Sequence, residues 1–164
     1  MQRLYIRAAA ALFLLVLGAG SVVARDGFER MRFYDWRIML KDAHLANERD
    51  DKAKAFERFL SAFELSPHDE QSQSDVERAA HQTGRWDEVV AAYRGAEDRA
   101  EQSGDGAAAN VLRLRLGRIL VDEVGRIDDA LTEYRAVYES EPENAVALDA
   151  LEKLYRQTER RKDL

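Results

Sequence analysis

One spacing of residue types occurs three times in this chain of 164 residues. In each copy an aromatic residue follows a small or β-branched residue by four positions, and another small or β-branched residue follows three positions later. The copies are Ala55-Phe59-Ala62, Val89-Tyr93-Ala96 and Ala130-Tyr134-Val137. Phe59 precedes Tyr93 by 34 positions, and Tyr93 precedes Tyr134 by 41. A period of this size is typical of stacked helices that bury their apolar faces only against neighbouring units.

The composition favours helix at nearly every position. Ala, Leu, Glu and Arg dominate, and two prolines and nine glycines leave few helix breakers. A charged fraction of 34% beside 46% hydrophobic residues is that of a folded protein with amphipathic elements rather than a disordered chain. The formal charge of −6 argues against non-specific binding to nucleic acid, which needs a basic surface. Cysteine is absent, which excludes disulfides, a thiolate nucleophile and a thiolate zinc site.

The first 24 residues form a segment of their own. Arg3 and Arg7 precede an apolar run over residues 8–24, which ends in Val22-x-Ala24. This pattern is typical of a secretory signal peptide cleaved after Ala24, and it predicts an exported protein, periplasmic or secreted. An uncleaved membrane anchor is the alternative, although a helix of that length spans only about 25 Å of a hydrocarbon core about 30 Å thick. A helix that belongs to the fold is a third interpretation.

Turn and capping signals divide residues 25–164 into seven predicted helices. Ser66-Pro67 ends the second helix, because proline disfavours helix at the residue before it, and Gly84 suits a left-handed turn after the third. Gly95 lies inside the fourth helix, where it costs roughly 1 kcal/mol relative to alanine, so we expect close packing around it. The predicted spans are 27–46, 52–65, 70–82, a helix that opens at Asp87 and ends near 102, 107–123, a helix from Asp128 to the residues before Pro142, and a last helix capped by Asn144.

The last copy of the spacing lies in a stretch that resembles the tetratricopeptide repeat, a helix-turn-helix unit of about 34 residues. Its matching residues are Leu116-Gly117-x-x-Leu120, Gly125, Ala130, Tyr134, Val137 and Pro142, with one extra residue before Gly125. Two earlier units match in part, through Gly84-Arg85-Trp86 with Tyr93 and Ala96, and through Ala55, Phe59, Ala62 and Pro67. They depart from the pattern because Val89 replaces a small alanine, no Leu-Gly pair precedes Gly84, and about seven extra residues lie around 103–107.

The resemblance covers roughly residues 33–164. It implies an all-α, right-handed solenoid of antiparallel helix pairs with about three and a half repeats. In such a pair, small side chains let two helices approach closely, and the aromatic residue fills the gap where three helices meet. We therefore predict a repeat domain over residues 25–164, preceded by the signal or anchor segment 1–24. Repeats of this kind bind many unrelated partners, so the resemblance implies a binding role only by analogy.

The family presents ligands on a concave face, which the first helix of each pair lines. In this register several cations fall into one row. They are Arg78, Arg118 and Lys153 at equivalent positions, His81 and Arg156 one helical turn further along, and Arg37 or His44 as an extension. Acids concentrate on the predicted outer helices, at Asp87, Glu88, Asp128, Asp129 and Glu133. A cationic groove favours an acidic peptide or a free carboxylate terminus, whereas the alternative is a solvated surface on which these cations pair with nearby acids.

The carboxy-terminal edge is a second candidate surface. The last predicted helix carries an apolar stripe that no further helix follows, formed by Leu148, Leu151, Leu154 and Tyr155. Since helical arrays normally end in a polar cap, we expect an exposed end that contacts another subunit or the rest of a longer array. The alternative is that residues 160–164 and a local rearrangement cover the stripe.

No catalytic or metal-binding pattern is visible. His44, His68 and His81 have no second ligand at helical spacing, and Asp128-Asp129 stands at a helix start, where capping explains it. We therefore predict a non-catalytic exported adaptor, without cofactor or metal, that binds a protein or peptide and no nucleic acid. The alternative is a membrane-tethered structural or oligomerising component, if the first 24 residues are retained. Partner identity and oligomeric state stay open.

Overall fold

The computed structural model describes residues 36–48 and 51–158, and every regular element in these ranges is helical, which confirms the prediction of an all-α protein. The seven helices described are α1 (36–48), α2 (Lys52–Leu65), α3 (Glu70–Thr83), α4 (Trp86–Gln102), α5 (Gly106–Ile119), α6 (Ile127–Ser140) and α7 (Ala145–Gln157). The predictions for the signal or anchor segment lie outside the described residues. None of the helices in these two ranges combines the length and the apolarity that a membrane crossing needs.

Short polar side chains cap four of the described helices. Each accepts a hydrogen bond from the backbone N–H three residues further on, which satisfies a donor that the first turn leaves unpaired. These capping residues are Asp51, Asp69, Asp105 and Asn144. α4 and α6 have no such bond but carry two acids each in the first turn, where the helix dipole favours negative charge. Gly84 ends α3 with a φ of 71°, as predicted, because glycine adopts the left-handed conformation without strain.

A π-helical turn, Leu120–Val124, continues α5. In such a turn the hydrogen bonds span five residues instead of four, so one inserted residue is absorbed inside the helix. The stretch that resembles a tetratricopeptide repeat carries one extra residue at this place, just before Gly125. The π-turn accounts for that irregular spacing. The predicted continuous helix over 107–123 is thereby corrected to an α-helix that ends in a π-turn.

The helices pack in chain order. From α2 to α7 each helix contacts its neighbours in the chain, and α4 also contacts α2. α1 joins the row through α3, since Nε1 of Trp36 donates to the buried Ser72 Oγ at 2.5 Å. The buried apolar side chains form one cluster that runs from Trp36 to Tyr155. Each helix therefore buries its apolar face mainly against helices adjacent to it in the chain.

The three recurring aromatic residues, Phe59, Tyr93 and Tyr134, are all buried. Tyr93 packs against Phe63, with ring centroids 4.5 Å apart. Tyr134 of α6 lies so close to Gly117 of α5 that a Cβ added to the glycine would come within 2.7 Å of the tyrosine Cζ. Protein interiors are packed to the density of organic crystals and leave no room for such an overlap. Only glycine therefore permits this approach of α5 to α6.

Gly95 of α4 does not pack in this way, and the expectation of close packing around it is wrong. A Cβ added there would meet one atom within 4 Å, the Nη1 of Arg99, at an ordinary contact distance of 3.5 Å. Gly95 is half-buried and lies beside this flexible arginine of its own helix rather than against another helix. The glycine at which two helices touch is Gly117.

Candidate functional site

α3, α5 and the π-turn line a cleft of about 330 Å³, called the α3–α5 cleft below. α3 contributes Arg78 and His81, and α5 contributes Arg118, so three of the five predicted groove residues lie together. The other two, Lys153 and Arg156, lie on α7 and do not line the cleft. Further charged or aromatic lining residues, which sequence reasoning did not assign to the site, are Glu77, Trp86, Arg115, Asp122 and Glu123.

Glu77 joins three helices at the floor of the cleft. Its Oε1 accepts hydrogen bonds from Nε of Arg115 at 2.5 Å and from the Tyr93 hydroxyl at 3.0 Å. Its Oε2 accepts one from Nη2 of Arg118 at 2.7 Å. Oε1 of Gln73 on α3 accepts a further hydrogen bond from Nη1 of Arg115, also at 2.7 Å. Since charge-assisted bonds of this length are strong, the network fixes the positions of both arginines.

The predicted repeat register also offers a signal for Glu77. In that register Arg78 and Arg118 hold equivalent positions, so Glu77 corresponds to Gly117 of the following predicted unit. Gly117 is a point of close helix contact, and an acid at such a point needs partners, since an unpaired buried charge is costly. A glutamate there therefore implies cations on the facing helix.

Both repeat tyrosines keep their hydroxyl protons at physiological pH. Burial is the largest cause that raises the pKa of Tyr93 well above its usual value, and the charge of Glu77 raises it further. Burial likewise raises the pKa of Tyr134 to about 12, and the charge of Asp122 adds to the shift. The Tyr93 hydroxyl is therefore a neutral donor to Glu77 at any pH near 7.

A second carboxylate, Asp75, lies fully buried beneath the row of cations. Its Oδ1 accepts a hydrogen bond from Nη2 of Arg78 at 2.5 Å. Its Oδ2 makes no hydrogen bond within the described residues and lies 3.4 Å from Nε2 of His44. Arg78 and His44 also lie against the ring of Phe59, with the guanidinium carbon 5.9 Å from its centroid. One buried acid therefore bonds Arg78 and lies beside His44, two of the residues predicted for the row.

His81 contacts the π-turn across the cleft. Its Nε2 lies 3.3 Å from Oε1 of Glu123, so a helix-bridging pair forms when the imidazole is protonated. Its ring also meets the indole of Trp86 edge to face, with centroids 4.9 Å apart. The histidine thus links α3 to both α4 and the end of α5.

The carboxylates of the cleft lie below its cations. The basic side chains are 49%, 53% and 60% exposed, in Arg78, Arg118 and His81. The carboxylates that contact them are 0%, 13% and 25% exposed, in Asp75, Glu77 and Glu123. Arg78 and Arg118 each give one nitrogen to a carboxylate and hold two more that other acceptors can reach. The residues that line the cleft itself include three arginines and three carboxylates, Glu77, Asp122 and Glu123, so its formal charge is balanced.

The structure corrects the predicted exposed end. Leu151, Leu154 and Tyr155 are buried, at 5%, 3% and 3% exposure, and Leu148 is the member of that stripe that reaches the surface, at 41%. The stripe packs on α6, whose Arg135 donates from Nε to the Tyr155 hydroxyl at 2.5 Å and lies over its ring. Helical periodicity identified an apolar face correctly, and this face packs on the preceding helix.

The two groove cations on α7 have different surroundings. Arg156 pairs with Glu152, one turn earlier on the same helix. Lys153 is exposed and makes no ion pair among the described residues. Near the start of the same helix, Val146 and Leu148 are both exposed. α7 therefore carries an exposed cation and two exposed apolar side chains.

A second polar cluster lies between α4, α5 and α6 and contains the buried Glu133. Burial raises the pKa of Glu133 to about 7, the charge of Glu97 adds to the shift, and Arg94 and Arg113 oppose it. Nε of Arg94 stays 3.9 Å from the Glu133 Oε1, whereas Arg113 donates to Glu97 at 2.7 Å. Glu133 is thus an acid that receives no hydrogen bond within the part of the chain that the structure describes.

Among residues 36–48 and 51–158, no group of three or more side chains could hold a metal ion. No protein-family model matches the chain, and no curated protein matches it. What the chain does must therefore follow from its own residues and their geometry.

Proposed function

We propose that this chain is a tetratricopeptide-like repeat scaffold, a non-catalytic adaptor that binds a protein or peptide partner on its concave face. The proposed architecture is a right-handed solenoid of antiparallel helix pairs, about three and a half repeats, over residues 25–164. Packing in chain order and buried aromatic residues at the repeat spacing support it. So does the contact of Gly117 with Tyr134, because the repeat pattern pairs a small residue with an aromatic one at such a junction.

The α3–α5 cleft is the proposed binding surface. The observation that carries this proposal is its layering, in which half-exposed guanidinium groups are held from below by less exposed carboxylates. An anchored arginine loses little side-chain freedom on binding and presents a planar set of donors to a ligand. The ligand chemistry that fits is a carboxylate, from an acidic peptide or a free chain terminus. Lys153 and Arg156 on α7 would extend the surface.

The proposed location is outside the cytoplasm, in the periplasm or the medium, after cleavage near Ala24. The support is the order of basic, apolar and small residues at the start of the sequence. The mass of the exported protein tests this directly. Loss of the first 24 residues is the expected result, and their retention would contradict it.

Charge reversal on the cleft and on its proposed extension at Lys153 tests the binding proposal. Arg78, Arg118 and Lys153 are replaced together by glutamate, and partners are captured by crosslinking from the exported fraction. We expect the parent protein to capture a protein partner at micromolar concentration and the triple variant to lose it, with unchanged helicity. Capture by the parent should also weaken as salt is added, because the contacts are ionic and partly exposed.

A matched variant reverses three exposed cations outside the cleft, Lys54, Arg94 and Arg126. It adds the same negative charge, so it controls for a general electrostatic effect. We expect it to capture the partner as the parent does. Equal losses in both triple variants, equal capture by both, or no partner for the parent would each contradict binding through the cleft.

A membrane-tethered structural or oligomerising component is the second candidate function. Two observations favour it, the apolar run over residues 8–24 and the exposed Val146 and Leu148 on α7. Retention of the first 24 residues, together with a sedimentation mass above that of one chain that falls in Val146→Asp, would support this candidate over the adaptor.

A further inference from the structure

Two arginines of α5 converge on one carboxylate of α3. Arg115 and Arg118 are three residues apart and so lie on the same face of their helix. Both donate to Glu77, at 2.5 and 2.7 Å. Convergent guanidinium groups are a common way for a protein to bind the carboxylate of a ligand. Here the chain supplies the carboxylate itself.

A comparison with Gly117 indicates that the packing at the position of Glu77 does not require a charge. In the predicted register Glu77 corresponds to Gly117, which meets Tyr134 with no charged group between them. Glu77 meets its own tyrosine through a hydrogen bond from the Tyr93 hydroxyl. A glutamine would keep this bond, since its amide oxygen is also an acceptor. The charge of Glu77 is therefore separable from its place in the packing.

We infer that Glu77, one of three carboxylates that line the α3–α5 cleft and the one that bonds its arginines from below, sets the affinity of the cleft for acidic polypeptide segments. Its charge competes for the Arg118 guanidinium and repels an incoming carboxylate. A single carboxylate gains little against this competitor, whereas a segment with several acidic residues engages Arg78 and Arg118 together. The inference rests on the proposed function and narrows it, because the partner becomes a multiply acidic segment rather than a lone chain terminus.

Glu97 offers a matched control for Glu77. Both side chains are 13% exposed, and both accept a hydrogen bond from an arginine of α5. The partner of Glu97 is Nε of Arg113, at 2.7 Å. Glu97 does not line the α3–α5 cleft. Glu97→Gln therefore removes an equivalent charge from an equivalent pair and leaves the cleft unchanged.

The experiment measures the binding of a fluorescent oligoglutamate peptide to the exported protein at low salt. Glu77→Gln should bind this probe about fivefold to tenfold more tightly than the parent and lose affinity more steeply as salt is added, because one repelling charge is gone. Glu97→Gln should stay within about twofold of the parent. Adding Arg118→Gln to Glu77→Gln should remove the gain. A peptide whose one carboxylate is its terminus should bind about tenfold more weakly than oligoglutamate.

Several results would overturn the inference. They are equal or weaker binding of the probe by Glu77→Gln, the same gain in Glu97→Gln, equal binding of the one-carboxylate peptide, and no binding in any form. Circular dichroism shows whether Glu77→Gln is folded. If it is not, the side-chain ¹⁵N signals of Arg118 in the parent must shift when oligoglutamate is added while those of Arg113 stay in place. Unmoved Arg118 signals would then overturn it.

The outcome is distinguishable from that of the proposed function. If partner capture depends on Arg78 and Arg118 but Glu77→Gln does not change binding of the probe, the inference about Glu77 is wrong and the adaptor function stands. If Glu77→Gln binds the probe more tightly but no partner is captured, the inference about Glu77 stands and the adaptor function is wrong.

Discussion

Tyr93 and Tyr134 hold the same place in the recurring sequence spacing, and their surroundings differ. Tyr134 meets Gly117 so closely that no side chain fits between α5 and α6. Tyr93 instead donates a hydrogen bond to Glu77, which also binds two arginines of α5. One junction excludes water through close packing, whereas the other places a charged network at the floor of a cleft.

The difference teaches that one position of the recurring spacing can carry either close packing or a charged network. Close contact at Gly117 gains dispersion energy over the whole helix interface. The Glu77 network is nearly neutral in its net effect on stability, because the ionic bonds offset the cost of removing the charges from water. We therefore expect loss of the close contact at the first junction to change stability most, and loss of the Glu77 charge at the second to change binding most.

The largest expected effect is on stability, when a methyl group is added at Gly117. Gly117→Ala should lower the free energy of unfolding by about 2–3 kcal/mol, since the Tyr134 ring must leave its packed position. Gly95→Ala is the control and should raise that free energy by roughly 0.5–1 kcal/mol, because alanine is the better helix former. Urea unfolding followed by circular dichroism measures both. A neutral Gly117→Ala would mean that the contact is not close.

Glu133 is a buried acid that receives no hydrogen bond among the described residues, whereas Glu77 accepts hydrogen bonds from two arginines and a tyrosine. Burial raises the pKa of Glu133 to about 7 from an ordinary 4.5, so the folded state binds this proton more tightly than the unfolded state does. The stabilisation from the protonated acid is full below pH 4.5 and is lost as the pH rises through about 7. Glu133→Gln should therefore raise the free energy of unfolding by roughly 1–3 kcal/mol at a pH of about 8.5 and much less at about pH 5.

Urea titrations of the parent and of Glu133→Gln at both pH values check this expectation. Glu97→Gln is a useful comparison, because Glu97 is a partly buried acid in the same cluster that does have an arginine donor. A stability change in Glu133→Gln of the same size at both pH values would show that the acid is ionised throughout.

The smallest expected effect lies in the two tyrosine hydroxyls. Tyr93→Phe removes a donor to Glu77 and should lower the free energy of unfolding by about 1 kcal/mol. Tyr134→Phe should lower it by less than about 0.5 kcal/mol, since no hydrogen bond of its hydroxyl is present among the described residues. Thermal melting of both variants tests the difference. Equal losses would indicate that the two hydroxyls have the same role.

Much of the helical frame follows from local sequence signals. α3 was expected over 70–82 and spans Glu70–Thr83, with Gly84 as its left-handed end. Capping groups and breakers act within one turn of the chain, so they can be read without knowledge of the neighbours. The π-turn could not be predicted in this way. One extra residue before Gly125 signals an irregularity, but the spacing does not say whether a loop or a helix absorbs it.

The site was predictable only in part, for a related physical reason. The structure places Arg78, His81 and Arg118, three of the five predicted groove residues, around one cleft, while a binding role for them stays a prediction. The role of Glu77 depends on the distance between α3 and α5, which no spacing along one helix encodes. The stripe that includes Tyr155 shows the same limit, since periodicity identifies an apolar face and not the neighbour that covers it.

The contact between α5 and α6 is tested most directly by the proton resonances of Gly117. We predict one Hα signal far upfield of the usual glycine range, because the proton in the place of a Cβ points at the Tyr134 ring. Tyr134→Leu should return that signal to the usual range. An ordinary shift in the parent that Tyr134→Leu leaves unchanged would contradict the close junction and the repeat architecture built on it.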